Sequence, residues 1–136
     1  MKYVLDTDVV LALLKGNALV VTRLDVAGKR DVSVPQLAWA ELAFGLLRLS
    51  PSTSKQVLKD RCALLRNELA HAPWTDEVSE KFGSIKAMLE QRGAPMDDRD
   101  VIVAAHAMAS DAVLVTSNVD RMSRVDGLPL EDWTES

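Results

Sequence analysis

Ala112-Val113-Leu114-Val115-Thr116 is apolar along nearly its whole length and shows little alternation of polar and apolar residues. A strand with one wet face alternates; a strand covered on both faces does not, and such strands belong to parallel sheets. Tyr3-Val4-Leu5 and Val32-Ser33-Val34 read the same way, and weaker strands are expected over Ala70 to Trp74 and Leu128 to Glu131. Between these runs the apolar residues recur at helical spacing, which predicts helices over Val9 to Lys15, Pro35 to Leu49, Ser52 to Leu69, Thr75 to Gln91 and about Asp97 to Ser110. Gly16-Asn17 is the stop of the first helix, Pro35 suits the first helical position of the second, and Arg92-Gly93-Ala94-Pro95 is the clearest break. Strands alternating with helices through right-handed crossovers give an α/β protein, a three-layer α/β/α sandwich with a small parallel sheet.

With 136 residues and no repeats, low-complexity tracts or linkers, the chain is expected to be a single domain over 1-136. Sixteen basic against twenty acidic side chains leave a formal net charge of −4. That argues against holding nucleic acid by bulk electrostatics alone. The single cysteine, Cys62, excludes an internal disulfide and a cysteine-based zinc site. No signal-peptide apolar region and no run of about 18 apolar residues is present, so the expected location is cytoplasmic, with no membrane contact.

The acids fall at informative addresses. Asp6 and Asp8 directly follow the first strand, and in an open parallel sheet ligands bind outside the carboxyl ends of the strands. The matching address after Val113–Val115 carries Asn118, with Asp120 two residues on. Glu41 is a lone carboxylate inside an apolar helical stretch, where it is costly to bury without a partner. Asp97, Asp98 and Asp100 open the helix that continues Val101-Ile102-Val103-Ala104-Ala105-His106-Ala107. Helix capping and the helix dipole account for Asp97 and Asp98. Asp100 shares its face with Ala104 and Ala107, small residues that allow close backbone approach. Carboxylates that converge repel one another and persist when protonated or when they hold a cation, and an all-oxygen donor set selects a hard ion, Mg²⁺ or Mn²⁺. Pattern alone leaves open whether Asp6, Glu41, Asp100 and Asp120 converge.

Four segments resemble a known family. Val4-Leu5-Asp6-Thr7-Asp8 looks like the opening of PIN-domain ribonucleases, and Ala38-Trp39-Ala40-Glu41-Leu42-Ala43-Phe44-Gly45 looks like their "AELxxG" segment. Arg99-Asp100-Val101-Ile102-Val103-Ala104-Ala105-His106-Ala107 is similar to their "xDLLIAAHA". Val113-Leu114-Val115-Thr116-Ser117-Asn118, followed by Arg124-Val125-Asp126-Gly127-Leu128, resembles "LVTxN…RVPGL", with Asp126 where the pattern has proline. The nearest branch is the VapC-type toxin of type II toxin–antitoxin systems. The resemblance implies a Mg²⁺- or Mn²⁺-dependent endoribonuclease that cleaves RNA phosphodiesters with ion-activated water. It implies Asp6 and Asp100 as metal ligands, Glu41 and Asp120 as further catalytic acids, and Thr7, Thr116, Ser117 and Asn118 in support. Relatives often place the fourth acid at the position of Asn118 or of Arg121, whereas here it is Asp120. Either Asp120 takes that role or the site works with three acids. The implied partners are RNA, a cognate VapB-type antitoxin and a second copy in a homodimer.

Lys15, Arg99, Arg121 and Arg124 lie near the motifs and are expected to steer RNA or to be ordinary surface charge. His106 points away from Asp100, about 240° around the helix, and reads as structural. The apolar helices Val9–Leu14 and Leu37–Leu47 are candidates for a homodimer seam or an antitoxin groove. Two rival readings remain on the residues alone. One is a haloacid-dehalogenase-like phosphatase with Asp6 as nucleophile. That reading lacks the acid pair directly after a later strand which it requires. The other is a non-catalytic binding module on the same fold.

Overall fold

The computed structural model describes residues 2–135. The chain runs β1 (Tyr3–Leu5), α1 (Thr7–Leu14), α2 (Ala18–Ala27), a 3-10 turn (Lys29–Asp31), β2 (Val32–Pro35), α3 (Gln36–Arg48), α4 (Thr53–Glu68) and β3 (Ala70–Ala72), then α5 (Asp76–Gln91), α6 (Asp98–Ala109), β4 (Val113–Val115), α7 (Val119–Met122) and β5 (Leu130–Glu131). All five strands are parallel, in the order β3-β2-β1-β4-β5. Parallel pairing needs a crossover between neighbours, and helices supply it on both faces of the sheet, as the alternation of elements predicts.

Strand alternation divides the core in two. Val4 of β1 and Leu114 of β4, both fully buried, pack with Leu89 of α5 and with Val101 and Ala104 of α6. The next residues along, Leu5 and Val115, enter the opposite core with Val9, Val20, Trp39 and Leu65 from α1 to α4. Ala104, Ala105 and Ala107 have no exposed surface, so α6 lies close against its neighbours. The register Leu5↔Val115 ends β1 and β4 side by side, and the Asp6 amide donates to the Val115 carbonyl at 2.9 Å. The residues that follow these two strands are therefore adjacent at one edge of the sheet.

Four local features depart from the pattern expected of the sequence. Pro35 is the last residue of β2, paired with Ala72, and not the first residue of the helix. Its φ of −63° suits either state, and its ψ of 148° is extended. Gly16-Asn17 is a start as well as a stop. Gly16, at φ +80°, ends α1, while the Asn17 side chain accepts from the Leu19 and Val20 amides at 3.0 and 3.2 Å and opens α2. Helix α2 buries only Val20 and Leu24, a stripe too narrow to show as periodicity. The single turn of α7 likewise leaves no repeat to read.

His106 on α6 is 2% exposed and lies edge-on to Trp74, with ring centroids 5.6 Å apart. Its Nδ1 has no hydrogen-bond partner among the described residues, and burial holds the imidazole below its ordinary pKa. The folded protein thus resists a proton that the unfolded chain accepts. Stability is expected to fall as pH drops through the unfolded value of about 6.5, with a slope of up to about 1.4 kcal/mol per pH unit. Urea unfolding of wild type and His106→Leu across this range checks it: the variant should lose that part of the slope.

Candidate active site

Asp6 is fully buried at the carboxyl end of β1, where it is the N-cap of α1. Its Oδ1 accepts from the Thr7 amide at 2.8 Å, and its Oδ2 from the Thr116 hydroxyl at 2.9 Å. Thr116, also fully buried, follows β4 and accepts in turn from the Asn118 amide at 3.1 Å. Asp100, 3% exposed, is carried in by the first turn of α6, and Glu41 comes from the middle of α3. The Thr7 hydroxyl donates to Glu41 Oε1 at 2.7 Å and so fixes the third acid to the start of α1. Three carboxylates more than 30 residues apart in sequence are thereby brought to the same edge of the sheet.

What joins them is the Arg99 guanidinium. Its Nη2 donates to Asp6 Oδ1 at 2.5 Å and to the Thr7 hydroxyl at 2.9 Å. Its Nη1 donates to Asp100 Oδ1 at 2.7 Å, and its Nε lies 2.8 Å from both oxygens of Glu41. Burial of the group works against its charge. The bonds to Glu41 and Asp6, and the field of those carboxylates, outweigh that and hold Arg99 above its ordinary value. Arg121 of α7 forms a further ion pair, Nε to Asp100 Oδ2 at 2.8 Å. Among the described residues no three acids close on one point as the ligands of a metal ion do; they stand apart by the width of a guanidinium.

Asp6, Glu41 and Asp100 are brought together, with Thr7 and Thr116 behind them, as the sequence motifs lead one to expect. Ser117 serves a different acid: its amide donates at 2.9 Å, and its hydroxyl also donates, to Asp8 Oδ2. Asp8 thus braces the loop after β4. Asn118 takes part through its backbone, and its side chain caps nothing at α7. Asp120 is exposed and enters none of these contacts; the residue of α7 that reaches the acids is Arg121. Asp98 pairs with Lys86 at 3.0 Å on the surface, and Asp97 makes no side-chain cap bond. The central place of Arg99 does not follow from the motifs. The available signal is its place as the lone base in Asp97-Asp98-Arg99-Asp100, where a cation beside an inward acid has a ready partner.

Beside Glu41 and Thr7 opens a groove of about 240 Å³ between α1, α3 and α4, walled by Leu11, Leu42, Leu46, Leu49 and Leu58, with Lys15 at its edge. The apolar side of α1 is consumed by the core through Val9, Val10 and Leu14, whereas α3 leaves Phe44 and Leu47 62% and 69% exposed. Among the described residues no helix is long and apolar enough to cross a membrane.

The sequence profile of the PIN domain matches residues 3–128. Ribonuclease VapC2 of Haemophilus influenzae is 32% identical over 98% of each chain, and Ribonuclease VapC2 of Rickettsia felis is 28% identical, again over 98% of each. Among solved structures, VapBC2 from Rickettsia felis bound to a promoter DNA fragment contains a chain that superimposes with a TM-score of 0.86. That chain is 25% identical, over 98% of this chain and 99% of its own length. DNA-bound VapBC from Salmonella typhimurium gives the same TM-score at 22% identity, with 98% of each chain covered.

Proposed function

Since the chain belongs to the PIN-domain family, together with the VapC ribonucleases, we propose that it is a metal-dependent endoribonuclease and the toxin of a VapBC-type toxin–antitoxin pair. The observation that carries this is the gathering of Asp6, Glu41 and Asp100 around one positive charge at the carboxyl end of the sheet. Three carboxylates and no sulfur or imidazole make a donor set for a hard cation, and the guanidinium among them stands in for one. Asp6 and Asp100 would hold Mg²⁺ or Mn²⁺, with Glu41 beside them. When bound, such an ion supplies a water of lowered pKa and offsets the charge of the phosphodiester.

The chain's own groups divide the remaining work. Thr116 occupies Asp6 Oδ2 and leaves Oδ1 directed at the centre. Thr7 orients Glu41, whose side chain, at 33% exposed, is the most open of the three acids and is placed to take a proton from an attacking water. Arg121, 43% exposed, sits at the rim where an RNA phosphate enters. Asp120 lies outside this arrangement, so the site is read as working with three acids. The groove beside Glu41 suits an apolar antitoxin segment that ends at the acids. The exposed Phe44 and Leu47 suit a homodimer contact. A cytoplasmic location fits this role.

The test is cleavage of RNA by purified protein in Mn²⁺. Activity should vanish in EDTA and in Asp100→Asn, and should stay within about threefold of wild type in Asp120→Asn, since a surface carboxylate contributes little at a distance. Cleavage that survives both EDTA and Asp100→Asn refutes the reading. Loss of activity in Asp120→Asn restores a fourth acid. In cells, expression alone should arrest growth, and co-expression of the neighbouring open reading frame should relieve it.

A further inference from the structure

Arg99 touches every acid of the site, and all of its donors that reach those acids are spent on them: Nη1 on Asp100 Oδ1, Nη2 on Asp6 Oδ1 and Nε on Glu41. These are the inward-facing oxygens. The other oxygens of the two aspartates are taken by other groups, Asp6 Oδ2 by the buried Thr116 and Asp100 Oδ2 by Arg121. Asp6 and Asp100 would hold a divalent ion through their carboxylates, and Arg99 is seated on an oxygen of each. From this overlap we infer that Arg99 is the resident counter-cation of the site, and that metal loading is an exchange in which the guanidinium must leave Asp6 and Asp100. The inference rests on the metal-site reading above and deepens it.

Two consequences follow from charge and geometry. Without Arg99 only Arg121, on Asp100, offsets the charge of the three carboxylates, so the acids draw a divalent ion more strongly. Once displaced, Arg99 stays tethered one residue from Asp100 with its planar fork free, a shape matched to a phosphate that brings negative charge of its own. Metal and a phosphodiester are then expected to help each other bind, because one vacates the acids as the other takes up the guanidinium. Arg121 holds the other oxygen of Asp100, not the one that Arg99 occupies.

Mn²⁺ binding followed by loss of the free-ion electron paramagnetic resonance signal tests the exchange without any activity readout. Arg99→Gln should bind Mn²⁺ roughly tenfold or more tightly than wild type, a change equal to about 1.4 kcal/mol or more. Arg121→Gln, which frees one acid and not three, should tighten Mn²⁺ binding clearly less than Arg99→Gln does. Equal or weaker Mn²⁺ binding by Arg99→Gln overturns the inference. Should Asp6→Asn bind Mn²⁺ as well as wild type does, the metal-site reading itself fails, and the exchange fails with it. If Arg99→Gln does not fold, the wild-type protein decides: the ¹⁵N resonance of the Arg99 Nε–H, assigned by its loss in Arg99→Lys, should shift saturably with Mg²⁺. An Arg99 resonance that stays fixed at saturating Mg²⁺ also overturns it.

Discussion

Asp6→Asn should reduce RNA cleavage in Mn²⁺ by on the order of 10³-fold or more while leaving the protein folded. The size of the effect follows from the carboxylate's position. Asp6 has no exposed surface, lies against the end of β4 through its own amide, and turns one oxygen toward the point where the acids meet. An asparagine keeps the volume. Its carbonyl can still accept from the Thr7 amide, and its amide can face the Thr116 hydroxyl oxygen, which is able to accept. What disappears is the negative charge, together with the affinity for a cation that depends on it. Folding stability should therefore change by no more than about 2 kcal/mol, the scale of one exchanged buried hydrogen bond. The check is a pair of measurements on one preparation, the single-turnover cleavage rate and the urea midpoint. A normal rate removes Asp6 from the chemistry. A collapsed midpoint makes its role structural.

Leu114→Ala should cost about 2–5 kcal/mol of stability, the range for a large aliphatic side chain cut back in a rigid core. Leu114 is fully buried on β4, which is hydrogen-bonded on both sides, to β1 and to β5. Its neighbours in that core include Val4, Leu89, Met122 and the alanines of α6, all of them buried. Alanine and valine have no reach to spare, and α6 already lies close. Urea denaturation at constant slope measures the loss. A change below about 1 kcal/mol would mean that the core relaxes around the cavity, and the close packing described for α6 would be wrong.

The fold was legible where burial on both faces leaves its mark. Val113 to Val115 and Tyr3 to Leu5 read as parallel strands because nothing polar interrupts them. The acid that follows β1 could be placed at the ligand-binding edge by that reading alone. Helix α2 was not legible, because two buried residues in ten do not make a stripe, and the Asn17 cap looked like the end of something already in progress. Glu41 and Asp100 could be singled out as unusual acids, but bringing them to Asp6 took the motifs. The side chains of Asp120 and Arg121 differ by about 100° around a one-turn helix, and spacing from β4 could not say which of them faces inward. Arg99 was hidden for a related reason. Its importance comes from reaching three elements at once, which no local pattern encodes.

The most direct measurement is a crystal of the wild-type protein soaked in Mn²⁺, with the ion located by its anomalous scattering. The ion should lie within about 2.5 Å of an oxygen of Asp6 and an oxygen of Asp100, with the Arg99 guanidinium turned away from both. Mn²⁺ bound elsewhere, or Arg99 still seated between the two aspartates in protein that cleaves RNA, would contradict it.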